Sequence, residues 1–338
     1  MSRTDFAAAH PDVFLLDAAD GSGVVRYLID RGVLSPAAAS ARVSRAGDGN
    51  MNCTLRIVAP NQRVIVKQGR PWVEKYDHIA APWDRTLVEA AFYETIAADG
   101  GIAVRMPRLL HVDRLSRVLV LEDVDGEDFT ALYAGAIVDW ASVSVLIDYL
   151  VELHSLRIDP GLQAVFANRE MRALNHEHIF HFPLLESNGL DLDRITPGLQ
   201  AAADRLKRDS EFTRLVSRLG DVYLADGPQL VHGDFFPGSW LRSSRGPVII
   251  DPEFCFVGRG EFDFGVMLAH LILASQPSAV VDRLHESIPP HYDASLINQF
   301  AGVEIMRRLI GVAQLPLNAS LQQKVAWLTA ARELVTAC

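Results

Sequence analysis

Two short apolar runs, Leu230-Val231 and Val248-Ile249-Ile250, both end on an aspartate: the first runs into His232-Gly233-Asp234, the second into Asp251-Pro252-Glu253. Runs this short and this apolar predict buried strands. A strand end can present a charged side chain to a cleft while its own backbone stays hydrogen-bonded. A first acid on a loop, a small hairpin and a second acid one hairpin later is the arrangement used for phosphoryl transfer. One carboxylate there orients the attacking hydroxyl, and the other holds the magnesium that bridges nucleotide phosphates. Asp234 fits the first role and Asp251 the second. Turn chemistry alone would explain an isolated His-Gly-Asp; the second acid, in matching strand context, carries the reading.

Upstream, Gly47-Asp48-Gly49-Asn50 leads into a strand over 53–58, and a second strand follows over 64–67. A glycine-rich turn between strands lets backbone N–H groups approach phosphate oxygens, although an ordinary hairpin has the same composition. Lys67 closes an apolar strand, where a charge needs a partner. It stands 17 residues after Asn50 and can reach nucleotide phosphates; otherwise it would extend to solvent. A helix is predicted over 82–98, opened by Pro82 and Asp84, with Leu87, Ala91, Glu94 and Ala98 on one face. Glu89 and Glu94 can each pair with Lys67, and the sequence does not separate them. Strands over 108–112 and 117–121 then exit through Glu122-Asp123-Val124, whose backbone can hydrogen-bond an adenine edge. The acids from Glu122 to Asp128 otherwise read as a solvated connection. Before all this, 23–34 reads as an amphipathic helix on the outside of the first lobe, with Val24, Tyr27 and Leu28 on its apolar side.

Beyond residue 122 the pattern turns helical. Helices are expected over 137–156, with Ile137, Trp140, Ile147, Leu150, Val151 and His154 on one face, and over 201–219, 264–274, 296–313 and 321–335. His176 and His178 are two apart, face different ways on a helix and have no cysteine nearby, so they do not build a zinc site. Asp263 is explained as an N-cap and can also brace the Asp234 loop. Arg307 and Arg308 point about 100° apart on a helix, so at most one is expected to face a pocket. There it would bind a hydroxyl-bearing substrate or offset phosphoryl charge; the alternative is a salt bridge to Glu304.

At 338 residues, 49% hydrophobic and 22% charged, the chain can bury a sizeable core, most simply in two lobes: a nucleotide-binding lobe over 1–121 and a catalytic and substrate lobe over 122–338. Its three cysteines, Cys53, Cys255 and Cys338, are scattered and give no disulfide framework. No signal segment is evident, and no apolar run approaches the roughly 18 residues of a membrane span. A cytoplasmic protein is expected. The net charge of −10, without a basic cluster to offset it, argues against nucleic-acid partners.

Taken together, Gly47-Asp48-Gly49-Asn50-Met51-Asn52, Ile65-Val66-Lys67-Gln68, Glu122-Asp123-Val124, His232-Gly233-Asp234 with Gly238-Ser239, Ile250-Asp251-Pro252-Glu253-Phe254, Phe262-Asp263 and Glu304-Ile305-Met306-Arg307-Arg308 resemble the 5-methylthioribose kinase family. That family is a branch of the aminoglycoside and choline phosphotransferase group. The resemblance implies an α+β, protein-kinase-like fold: a small antiparallel-sheet lobe with one main helix, and a larger, mostly helical lobe. It implies that ATP sits between the lobes against Gly47, Gly49, Asn50, Lys67 and the Glu122, Asp123 and Val124 segment. Asp251 and Glu253 would hold Mg²⁺, Asp234 would serve a sugar hydroxyl, and Arg307 or Arg308 would reach the substrate. Ser239 stands where many kinases place a magnesium-binding Asn, and Glu253 would supply the missing oxygen. Glu89, His232 and Asp263 would be supporting residues. The acceptor implied is 5-methylthioribose or a related thio-sugar of methionine salvage, and the resemblance suggests a homodimer.

Phe235-Phe236-Pro237 departs from the more polar residues of that family's loop. Another hydroxyl acceptor, such as an aminoglycoside, choline or a homoserine-like alcohol, is the alternative. A cationic one would exploit the acids at 122–128, and the arginine pair argues against it. A non-catalytic nucleotide-binding protein would have lost Lys67, Asp234 or Asp251, and all three are present.

Overall fold

The structure is a computed structural model that describes residues 3–47 and 51–337. Gly49 and Asn50 of the expected phosphate turn lie outside the described residues. The chain divides into two compact units, Met1–Asp125 and Gly126–Cys338.

The first unit is built on an antiparallel sheet of β1 (Arg42–Arg45), β2 (Cys53–Ala59), β3 (Gln62–Gln68), β6 (Leu109–Asp113) and β7 (Val118–Glu122), in the order β1-β2-β3-β7-β6; β4 (Trp72–Val73) and β5 (Tyr76–Ala80) form a separate ribbon. Burial along β2 alternates strictly, with Cys53, Leu55, Ile57 and Ala59 inward, the period of a sheet with one covered face. Pro60 and Asn61 make the turn to β3, where Ala59 pairs with Gln62. Helix α1 (Gly21–Asp30) sends Val24, Val25, Tyr27 and Leu28 into the same core as Leu55, Ile57, Val64, Val66, Val118 and Val120. Its other face, with Ser22, Arg26 and Asp30, is exposed, as expected of an amphipathic helix on the outside of the unit. Its end is tied to β6, because Tyr27 Oη and Arg31 Nε donate to Asp113 Oδ2 at 2.7 and 2.8 Å.

Helix α2 (Arg85–Ile96) is shorter than the expected 82–98 and is turned about its axis. Its buried face is Thr86, Glu89, Ala90, Tyr93 and Ile96, whereas Glu94 and Ala98 are exposed. Arg85 decides the orientation. Its guanidinium is buried among the Asn52 side chain and the carbonyls of Met51, Arg70 and Pro82, which fixes the first turn.

The second unit carries two small β elements. β10 (Trp240–Ser243) pairs with β11 (Gly246–Ile249) and with β8 (Gly126–Asp128), and β9 (Gln229–Val231) pairs with β12 (Phe256–Gly258). The rest is helical: α3 (Trp140–His154), α4 (Arg169–His176), α5 (Leu199–Lys207), α6 (Ser210–Leu224), α7 (Glu261–Leu273), α8 (Ser278–Ser287), α9 (Ala294–Ile310) and α10 (Leu321–Thr336). α7 and α9 are buried nearly all round, as central helices are, and pack on each other. Ile137 lies outside α3 and is 60% exposed, because Asp139 caps the helix by accepting from Ser142 N–H. The helix expected over 201–219 is two helices. Asp209 accepts the N–H groups of Glu211 and Phe212 and starts α6 afresh. Among the described residues no helix is long and apolar enough to cross a membrane.

Candidate active site

In the first unit, Lys67 Nζ and Glu89 Oε1 meet at 2.7 Å, with both side chains essentially removed from solvent. The charge at the end of β3 is therefore paired with α2, and the choice between Glu89 and Glu94 falls to Glu89. Glu94 instead accepts from Arg114 at the surface. Isolating two charges from water costs more than an exposed pair returns, so this pair is hard to explain as a device for stability. β7 runs as far as Glu122, whose N–H donates to Arg108 O at 2.9 Å. Asp123 is not a solvated linker acid. Its carboxylate is 1% exposed and accepts from Arg56 and Arg63 on β2 and β3. Val124 is buried, and Gly47 takes φ of +68°, the left-handed region that suits glycine.

In the second unit the loop after β9 is over-determined. Asp263, in the first turn of α7, accepts His232 N–H at 2.7 Å and Gly233 N–H at 2.9 Å. Asp263 is thus no N-cap, since α7 begins at Glu261, and its carboxylate is spent on the loop. His154 Nε2 donates to the same carboxylate at 3.1 Å while Tyr292 Oη meets His154 Nδ1. Gly233 has φ of +86°, and a Cβ there would sit 2.1 Å from the Phe254 carbonyl oxygen. His232 Nε2 lies 3.0 Å from Ile250 O and so carries the ring proton; Nδ1 then accepts Asp234 N–H at 3.3 Å. Burial lowers the His232 pKa, which keeps the ring neutral. One imidazole thereby joins the Asp234 loop to the strand end that carries Asp251.

The Asp234 carboxylate is 22% exposed and meets two guanidiniums. Arg307 Nη2 and Arg308 Nη2 each donate to Oδ1 at 3.3 Å. The expectation that only one of the pair could face a site does not hold. Glu304, one helical turn earlier on α9, accepts from Arg307 Nε on one oxygen and from Arg308 Nε on the other, the latter at 2.7 Å. Residues three and four apart share a helix face, and a single acid gathers both long side chains. Burial alone would raise Glu304, but Arg307 and Arg308 hold it well below the usual carboxylate range. Burial pushes Asp234 above its ordinary value, against the opposing pull of Arg308 and Arg307. Phe236 lies beside them, its ring 4.8 Å from the Arg308 guanidinium and 5.2 Å from the His270 ring.

Asp251 follows β11 with φ 64° and ψ 52°, a left-handed conformation that Asp tolerates better than most side chains. Ser239 Oγ donates to the Asp234 carbonyl at 2.9 Å, and Ser239 O accepts Ile250 N–H at 2.9 Å. The Ser239 hydroxyl proton is thus engaged, leaving its oxygen lone pairs. Asp251, the buried Glu253 and Ser239 offer hard oxygen donors only. That set fits magnesium, which takes one or two carboxylates and completes its shell with water and phosphate. Among the described residues no group of three or more His, Cys, Asp or Glu is gathered for a metal. His176 instead stacks on Phe180, and His181 pairs with Glu177.

A family model, the phosphotransferase enzyme family, matches residues 43–295. The chain belongs to that family. This phosphotransferase is 27% identical over 325 residues to a methylthioribose kinase of Exiguobacterium sibiricum, covering 82% of this chain and 80% of the relative. A methylthioribose kinase of a Geobacillus strain is 24% identical over 379 residues, covering 96% and 90%. Choline kinase LicA from Streptococcus pneumoniae superposes with a TM-score of 0.51 at 14% identity, over 94% of this chain and 99% of that one. The latter likeness shows the fold, a protein-kinase-like one.

Sequence reasoning did not find the phosphotransferase's Tyr133, nor the roles of His154 and His270. The signal for His270 was present: it stands alone among apolar residues in Phe264-Gly265-Val266-Met267-Leu268-Ala269-His270-Leu271, and a fully buried polar group there requires a partner.

Proposed function

We propose that this phosphotransferase moves the γ-phosphoryl group of ATP to a hydroxyl of a small sugar, with 5-methylthioribose or a related thio-sugar as the acceptor. The observation that carries the reading is the Asp234 carboxylate, fixed at the end of a capped loop, raised in basicity by burial and flanked by two guanidiniums. The relatives named methylthioribose kinase support the acceptor class. In this reading residues 1–121 handle the nucleotide and 122–338 the acceptor. Lys67, held by Glu89, binds phosphate oxygens; Gly47, Gly49, Asn50 and the 122–124 backbone hold the rest of the nucleotide. Asp234 orients the acceptor hydroxyl and takes its proton as the oxygen attacks in line. Arg307 and Arg308 position the acceptor and offset negative charge on the transferred group. Asp251, Glu253 and Ser239 would hold magnesium, which when bound supplies charge neutralisation across the phosphates.

The test is a panel of pentoses, thio-sugars, aminoglycosides and amino alcohols with ATP and Mg²⁺, read by ADP release. Turnover on the thio-sugar with the others near background is the expected result. Preference for a cationic alcohol would overturn the acceptor, and release with none of them would overturn the activity.

A further inference from the structure

The Glu304 fork is closed from behind by two residues to which the proposed reaction gives no role. His270 Nε2, on α7, lies 2.9 Å from Glu304 Oε1, and His270 Nδ1 meets the Tyr133 hydroxyl. A carboxylate only accepts, so Nε2 is the donor; Nδ1 is then the acceptor, and Tyr133 Oη donates to it. Both His270 and Glu304 are shut away from solvent. Burial lowers His270 to about 4, so its ring is neutral at ordinary pH. Burial also holds the Tyr133 phenol well above its ordinary value, so it keeps the proton it donates.

The charges then balance: two guanidiniums against the carboxylates of Asp234 and Glu304. A protonated His270 would add a third cation beside the arginines. The donors divide between the two oxygens of Glu304, with Arg307 on Oε2 and Arg308 together with His270 on Oε1. Held from both sides, the carboxylate cannot roll about its terminal bond, and each guanidinium grows from a fixed root.

We propose that His270 and Tyr133 are positioning residues for the acceptor side of the site, locking Glu304 so that Arg307 and Arg308 are delivered together to one oxygen of Asp234. The inference rests on the role given above to Asp234 and the arginines. Where the held group is a metal ligand, losing such an outer partner typically costs about 10–100-fold, and Glu304 is held here by the same kind of hydrogen bond.

The test uses the full chain with Tyr133→Phe, His270→Leu and His270→Gln; the last keeps a donor near the Nε2 position. Tyr133→Phe and His270→Leu are expected to lower kcat/KM for the acceptor about tenfold or more while KM for ATP stays within about twofold, and His270→Gln to recover most of the loss. Nitrogen NMR of the wild-type ring is expected to show a proton on Nε2 and none on Nδ1 at neutral pH, a readout independent of any acceptor. Unchanged acceptor kinetics in folded Tyr133→Phe, equal losses toward ATP and acceptor, or a proton on Nδ1 would each overturn the proposal. If the wild type phosphorylates no hydroxyl at all, the functional reading fails, and the ring tautomer still decides the relay.

Discussion

On the proposed function, Asp234 carries the proton transfer, while its neighbour Gly233 is fixed by backbone conformation, with φ of +86°. Asp234→Asn keeps the shape but not the basicity, so kcat is expected to fall by about 10²–10⁴ while nucleotide affinity, measured by calorimetry, stays within a factor of about three. Retained turnover would show that Asp234 is not the base. Gly233→Ala acts differently. The left-handed backbone costs a side chain about 1–3 kcal/mol, and the clash with the Phe254 carbonyl adds overpacking of about 1–3 kcal/mol. Urea unfolding should register a loss of that order, and the turn after Asp251 should be disturbed with it, because Phe254 belongs to that turn.

At the scale of elements, the pairing of β3 with α2 through Lys67 and Glu89 carries the clearest stability prediction. Removing one member of a buried pair strands the other, at about 3–5 kcal/mol. Glu89→Ala should therefore lower the melting temperature more than Glu94→Ala, whose carboxylate meets Arg114 in solvent; equal shifts would contradict the burial. Legibility follows the same line. The strands were readable because burial on β2 alternates residue by residue, and both aspartate-terminated runs were readable because each is short and bounded by turn residues. The phase of α2 was not, since it is set by Arg85 reaching carbonyls from three separate stretches of chain. The convergence of both arginines was hidden for a related reason. Helical angles describe where Cα–Cβ bonds point, not where a guanidinium at the end of three methylenes is drawn by Glu304.

For the whole molecule, protonation acts on the two units over different pH ranges. His270 is buried with its pKa lowered to about 4, so below about 6.5 the unfolded chain binds a proton that the folded one refuses. Stability is lost as pH falls from about 6.5 to about 4, by on the order of 3 kcal/mol. His232 acts in the same direction, and the raised carboxyl of Asp234 works against both. In the first unit Asp113 is lowered to about 2; although burial opposes this, hydrogen bonds from Tyr27, Ser116 and Arg31 prevail. Its contribution, about 1 kcal/mol after solvent screening, survives until pH falls below about 3.8. Hydrogen exchange at pH 5 should therefore find amides of α7 and α9 weakened relative to pH 7, while those of β2 and β3 hold; uniform weakening would refute the assignment. The imidazole of residue 232, strung between Ile250 and Asp234, has one further consequence. It works as a caliper, setting the spacing between the backbone at Ile250 and the backbone at Asp234 by the width of a rigid ring. On the function proposed above, side chains beside the arginine pair, Phe236 among them, could then be exchanged to retune acceptor choice while that spacing stays as it is.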